Sequence, residues 1–581
     1  MAGFDWAVVG AYLVLTLGVG IWLSRRAGGS LVDFFVSGRS LPWWLAGTSM
    51  AATTFSVDTP LYVTGLVSRR GIAGNWEWWS FALAHLLLVY LFARLWRRAE
   101  VVTDAELTEI RYGGRSAAVL RGTRAFLFAV PINCIAIGYA MLAMRKVVQA
   151  LGLFEAVPAA LPGDARLWIV VALCVFVLVY AALSGLWGVV ATDFFQFTLA
   201  MAGALLVAGY AIHDLGGITE LKAGLASMGR GDATDLVPRP GSERLPMVTF
   251  LAYLGVQWWA FRRSDGGGEF VQRLSACRDE ADAEKAAWLF VFLHYVVRAW
   301  PWILAGLAAM VIFPNLADPE LGYPMLMLEY LPTGLLGLVV ASFLAAFMST
   351  VSTQINWGAS YLVNDLYARF VEPDAPQAKL VALGRAASVL IVAIAGVAAF
   401  HAEDVGTVFR FMIIVGTGPG AVLVLRWFWW RVNAWAELAA MVGGFVIGVA
   451  SYLLGPEMAF GTRLQVTAGG AALVWVPVMM ATSPESRETL ERFYRKARPG
   501  GPGWRAVRER TGVEAAVPLG PSLGRAAFGA LLLFGAMFLV GSASLLEPGT
   551  AALAGLAAAV GGAGLWRLRG RASGPASGEA A

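Results

Sequence analysis

A hard cation could be held by one stretch of this chain. From Gly334 to Tyr367 it reads GLLGLVVASFLAAFMSTVSTQINWGASYLVNDLY, long enough to cross a bilayer yet carrying hydroxyls where lipid favours leucine. Helical spacing puts Ala346, Ser349 and Thr350 on one face at i, i+3 and i+4. Ser349, Ser352 and Thr353 repeat the pattern a turn later. Neutral hydroxyl and carbonyl oxygens suit a small hard cation, whereas thiolate or imidazole sites suit transition metals. The same side chains could instead bond back to carbonyls at i−4 or hold neighbouring helices together.

Composition sets the class of element that must position them. The chain is 58% hydrophobic and 14% charged over 581 residues, with a mean hydropathy of +0.66. Many apolar runs reach the roughly 20 residues of a spanning helix, so an all-α polytopic membrane protein is expected. A β-barrel would instead show alternating strands of about ten residues. The N-terminus lacks a basic region and a small-residue cleavage site, so the first helix is expected to be retained. Cys134, Cys174 and Cys277 have no ligand spacing, and four scattered histidines do not suggest a metalloenzyme. The net charge of +5 fits basic cytoplasmic loops rather than nucleic acid.

Hydropathy places about 15 spans: near 5–23, 41–66, 76–96, 118–150, 167–184, 187–213, 246–261, 284–314, 334–367, 377–400, 405–429, 433–454, 465–482, 523–543 and 549–567. Arginines in the loop with Arg25, Arg26 and Arg39, in RLWRRAEVVTDAELTEIRYGGRSAAVLRGTR, and in the tail with Arg567, Arg569 and Arg571 fall on one side. The loop around LFEAVPAALPGD, poor in arginine, falls on the other. This predicts an integral protein of the plasma (inner) membrane with the N-terminus outside and the C-terminus cytoplasmic. Arg69 and Arg70 are exceptions. The charged stretch 483–522 reads as a cytoplasmic loop with a short amphipathic helix near 485–496.

Two spans do not read as uniform helices. The first contains AATTFSVDTP, with an intramembrane Asp58 that must face protein or water, and Pro60, which pushes the preceding residues away from αR. The other, 246–261, runs into FRRSDGGGEF, where three glycines abolish helix propensity. Asp193 is a further interior charge, facing either a cavity or the membrane surface after a tight SGLWG turn. RWFWWRVNAWAE at 426–437 reads as an anchor at the membrane interface.

FFVSGRSLPWWLAGTSMAATTFS at 34–56, SGLWGVVATDFFQF at 184–197, QRLSACRDEADAEKAA at 272–287 and AAFMSTVSTQIN at 345–356 together resemble the sodium/solute symporter family. The resemblance implies a LeuT-type fold with two inverted five-helix repeats, 41–213 and 246–430. An extra N-terminal helix and loop (1–40) precede them. Additional helices (431–482), the 483–522 loop and two C-terminal helices with a tail (523–581) follow. It implies sodium as coupling ion, held by the carbonyls of Ala52, Phe55 and Ala346 and the hydroxyls of Ser349 and Thr350. A second sodium would take Asp193, Ser349, Ser352 and Thr353. The solute, an amino acid, monocarboxylate or sugar, would meet Thr54, Ser56, Asp58, Thr59, Tyr253, Gln257, Trp258, Trp259 and Thr417. Trp258 and Trp259 could stack on a sugar face, close a lid, or sit in the interfacial belt beside lipid. The expected function is sodium-coupled import of a small organic solute by alternating access, with a solute sensor as rival. No nucleophile-and-base constellation suggests an enzyme.

Overall fold

The computed structural model describes residues 1–24, 37–101, 103–152, 165–400 and 404–569. The loop carrying Arg25 and Arg26, the loop at 153–164 and the tail with Arg571 lie outside the described residues. Within them the chain is helical, with only isolated β-bridges. Among the described residues nine helices are long and apolar enough to cross a bilayer, ten if the bent pair Ile72–Trp79 and Ala82–Ala99 is one span. This is fewer than the 15 read from hydropathy. Bends divide several apolar runs into pieces too short to qualify. The 41–66 run becomes Trp43–Thr53 and Asp58–Arg70. The 405–429 run, expected as one helix, breaks at the GTGP stretch into Val405–Val415 and Gly420–Phe428. The runs at 167–184 and 187–213 form a single helical element, Ala165–Asp214, rather than two helices parted by a turn at SGLWG.

The long-range packing joins the two halves to each other. Trp43–Thr53 lies on Glu280–Phe292, Asp58–Arg70 on Ala299–Ile312, Asn133–Ala150 on Gln377–Phe400, and Ala165–Asp214 on Leu335–Ser360. This crosswise pairing puts Leu335–Val371 at the centre, where 89% of its most apolar window is buried, against 17% for Pro548–Leu568 at the flank. The N-terminal helix Gly3–Ser24 locks the start of that central helix. Asp5 Oδ1 accepts from the backbone N–H of Gly334 (2.6 Å) and Gly337 (3.0 Å), satisfying donors that a helix start leaves free.

Arg69 and Arg70, the exceptions to the charge pattern expected from the sequence, are both paired. Arg69 pairs with Asp404 at 2.9 Å and Arg70 with Glu77 at 2.6 Å, so neither stands as a free loop cation. The 483–522 segment folds against the helix ends, with helices Arg487–Ala497 and Arg505–Thr511. Trp504 Nε1 donates to the Trp427 carbonyl (2.8 Å), and the Arg111 guanidinium lies over the rings of Tyr112, Phe493 and Trp504. In the 426–437 stretch only Trp430 and Trp435 are exposed as interfacial anchors would be. Arg426 and Trp427 are fully buried instead.

Gly266 is required by geometry. Its φ is +77°, and a Cβ there would lie 2.2 Å from Leu88 Cδ1. Gly266→Ala is therefore expected to cost about 2 kcal/mol or more, from a left-handed backbone at roughly 1–2 kcal/mol and an overpacked contact at roughly 1–3 kcal/mol. The check is the apparent unfolding midpoint of the detergent-purified variant. An unchanged midpoint would mean that Leu88 gives way freely.

Candidate cation and solute site

The chain leaves helical form at 54–57, between Trp43–Thr53 and Asp58–Arg70. Local chemistry favours the break. Thr54 Oγ1 donates to the Ala51 carbonyl (2.9 Å), Thr59 Oγ1 accepts from Ser56 N (3.3 Å), and Pro60 has no N–H to give. Phe55 stacks on Trp302 with ring centroids 5.2 Å apart, which pins the unwound turn. Carbonyls in such a turn are free of their usual i+4 partners.

The central helix brings its hydroxyl stripe to this break. Thr350 Oγ1 lies 3.5 Å from the Phe55 carbonyl oxygen. Two oxygens sharing a hard cation at roughly 2.4 Å sit about 3.4 Å apart when they bind at right angles, so the spacing suits an ion between them. Ala52, Phe55 and Ala346 are buried, and Thr350 is half-buried. Ser349 also serves a carboxylate. Its Oγ donates to Asp193 Oδ1 (2.6 Å), and Ser49 Oγ donates to Asp193 Oδ2 (2.6 Å). Arg273, absent from the sequence reading, reaches the same cluster through Nε to Ser49 Oγ (3.4 Å) and Nη2 to Thr353 Oγ1 (3.4 Å). Ser352 Oγ donates to the Ser349 carbonyl at 3.0 Å, the helix-internal alternative. Among the described residues no cluster of His, Cys, Asp and Glu could hold a transition metal.

The expected solute residues separate into groups. Thr54 joins His294 and Arg298. Buried Asp58 lies beside the hydroxyls of Tyr139 and Ser56, and Thr59 is half-buried. Tyr253 and Gln257 meet instead around the fully buried Glu77. Tyr253 OH donates to its carboxylate (2.8 Å), as do Tyr62 OH (2.9 Å) and Arg70 (2.6 Å), while Gln257 Nε2 donates to its carbonyl. Trp258 and Trp259 are not drawn in. Their indole N–H groups donate to Leu254 and Gly255 of their own helix.

Thr417 sits in the second break, where Arg262 N donates to the Gly416 carbonyl (2.8 Å) and Gly418 N to the Ala260 carbonyl (2.9 Å). The FRRSDGGGEF stretch thus ties two broken helices together. Its Asp265 pairs with Arg426 (2.7 Å) and accepts from Trp427 Nε1 (3.0 Å). Sequence reasoning missed Ser49, Glu77, Arg273, His294 and Arg298. For His294 and Arg298 a signal was available, because ionisable residues inside an apolar span are functional candidates by default.

A multi-spanning bundle in which a hydroxyl-bearing central helix packs against a broken helix is an arrangement that ion-coupled membrane transporters use. The sodium:solute symporter family matches residues 34–444, and the chain belongs to that family. It is a sodium-coupled symporter of small organic solutes, a secondary active transporter rather than an enzyme. The sodium/glucose cotransporter of Vibrio parahaemolyticus is 25% identical over 80% of this chain and 88% of its own length. Sodium/glucose cotransporter 2 of Rattus norvegicus is 27% identical over 79% of this chain and 72% of its own. In three dimensions the chain is similar to a substrate-bound, outward-open sodium-coupled sialic acid symporter, with a TM-score of 0.67 and 19% identity over 84% of this chain and 99% of the other.

Proposed function

We propose that this symporter imports a polyhydroxylated solute of the sugar class across the plasma (inner) membrane, with its N-terminus outside and its C-terminus cytoplasmic. Amino acids and plain monocarboxylates rank below sugars because the relatives named above carry glucose. The core is two inverted five-helix repeats, 41–213 and 246–430, of LeuT type. The helices of 431–482 and 523–581 flank it toward lipid. The first sodium binds between the carbonyls of Ala52, Phe55 and Ala346 and the hydroxyls of Ser349 and Thr350. The observation that carries this reading is the 3.5 Å approach of Thr350 Oγ1 to the Phe55 carbonyl across the broken helix. A second sodium binds at Asp193 with Ser349, Ser352 and Thr353, supported by the convergence of Ser49 and Ser349 on one buried carboxylate. The solute lies against Thr54, Ser56, Asp58 and Thr59 on one side and Tyr253 and Gln257 near Glu77 on the other.

A ligand that binds only the folded state raises apparent stability by mass action. Sodium, and not potassium or choline, is expected to raise the unfolding midpoint of the purified protein and to sharpen its response to one class of solute. Equal shifts in the three salts would remove the sodium site. A response to amino acids alone would remove the sugar class.

A further inference from the structure

We infer that the transported solute carries a carboxylate and that Arg298 binds it at the helix break, so that the substrate is a sugar acid rather than a neutral sugar; this deepens the symport reading above and rests on it. The helix Glu280–Phe292 continues into Ala299–Ile312 through a widened turn, where Arg298 N donates five residues back to the Leu293 carbonyl (3.1 Å). Such widened turns re-aim side chains and recur at functional sites. Here the turn presents His294 and Arg298 to residues 51–54 of the broken helix.

The donor inventory of Arg298 points to a missing acceptor. The side chain is 2% exposed. Its Nη1 donates to the Ala51 carbonyl (3.0 Å) and to Thr54 Oγ1 (3.2 Å), and its Nη2 to His294 Nε2 (3.2 Å). A guanidinium can only donate, so His294 Nε2 accepts and the imidazole is neutral with its proton on Nδ1. That proton goes to Thr54 Oγ1 at 2.9 Å, and Thr54 passes its own to the Ala51 carbonyl. Of five guanidinium N–H groups, the Nε–H is left without a partner and one Nη2–H remains. Nε and Nη2 share the edge of the guanidinium that a carboxylate takes in bidentate fashion.

The surroundings supply no such carboxylate. Among the described residues none pairs with Arg298, whereas the equally buried Arg124 pairs with Asp104 (2.6 Å) and Glu437 (2.7 Å). Asp58 makes no ion pair or hydrogen bond with Arg298. A sodium arriving at the Phe55 carbonyl adds a positive charge to the break that Arg298 faces. A carboxylate entering with that sodium cancels it. Buried Gln257 Oε1, without a partner, is left for a solute hydroxyl.

The test compares matched pairs that differ only by the carboxylate: D-glucose with D-glucuronate, and D-galactose with D-galacturonate. Binding to the full-length protein in nanodiscs is read from the midpoint shift in sodium and in potassium. In sodium the uronate is expected to bind at least tenfold more tightly than its hexose, and Arg298→Gln is expected to erase this preference while retaining the sodium-over-potassium shift. A hexose that binds as well as its uronate, the absence of any uronate response, or a preference that survives Arg298→Gln overturns the inference. Loss of the sodium shift in wild type would instead overturn the symport reading. Should Arg298→Gln lose the sodium shift through misfolding, Arg298→Lys keeps the charge without the fork. It is expected to weaken the preference, and an undiminished preference in that variant overturns the assignment.

Discussion

Replacing Ser349 and Thr350 together by alanine is expected to abolish sodium-driven uptake at ordinary sodium concentrations while leaving the protein inserted and folded. Alanine is the best helix former, and each substitution deletes a single oxygen from a helix otherwise held by apolar packing, so the scaffold has little to lose. The ion loses two of about five oxygen ligands. If each contributes about 1.4 kcal/mol net, the half-saturating sodium concentration rises roughly 100-fold. The single variants should differ. Thr350 faces the Phe55 carbonyl, so Thr350→Ala removes a ligand and little else. Ser349 also donates to Asp193, so Ser349→Ala disturbs that carboxylate as well, although Ser49 continues to hold it. Uptake into proteoliposomes as a function of external sodium decides the matter. Unchanged sodium dependence in the double variant would end the assignment.

Asp193→Asn is expected to lower the Hill coefficient for sodium from near two to one, with uptake retained. The carboxylate is fully buried, and Arg273 lies against the same hydroxyls, so the proposed second ion would have to displace a resident guanidinium from Thr353. A buried carboxylate left without a cation would be costly, and the exchange keeps it compensated in both states. The consequence for accumulation is large. One sodium moving down a tenfold gradient and roughly 100 mV yields about 3.7 kcal/mol, enough for roughly 500-fold accumulation of a neutral solute, and a second squares that limit. For a singly charged anion the second ion multiplies the limit by the same factor, but from a much lower start. With one sodium no net charge moves, and only the roughly tenfold chemical gradient remains. A wild-type coefficient of one, with a sodium-to-solute flux ratio of one, would reject the second site.

Several elements were legible because their signal is local. The break at 54–57 is written in hydroxyls, an aspartate and a proline within one apolar run, and its residues need no distant partner to leave the helix. The oxygen stripe was legible because helical spacing alone puts Ala346, Ser349 and Thr350 on one face. The break at 416–419 also has a local mark in GTGP, but hydropathy counts apolar residues and is blind to a bend that divides them. The same blindness inflated the number of spans.

By itself, the sequence determined that this is a polytopic helical membrane protein, where its second span breaks, and which hydroxyls line the central helix. Those properties depend on composition, on proline and on a fixed helical period. Only the tertiary structure decided which groups meet: that Ser49 and Ser349 converge on Asp193, that FRRSDGGGEF binds Arg426, and that Arg298 stands with an unpartnered Nε–H at the break. The physical reason is that the central helices are buried on nearly every side, so no apolar stripe reveals which face turns to which neighbour. Partners such as Ser49 and Asp193, 144 positions apart, are chosen by how those faces pack.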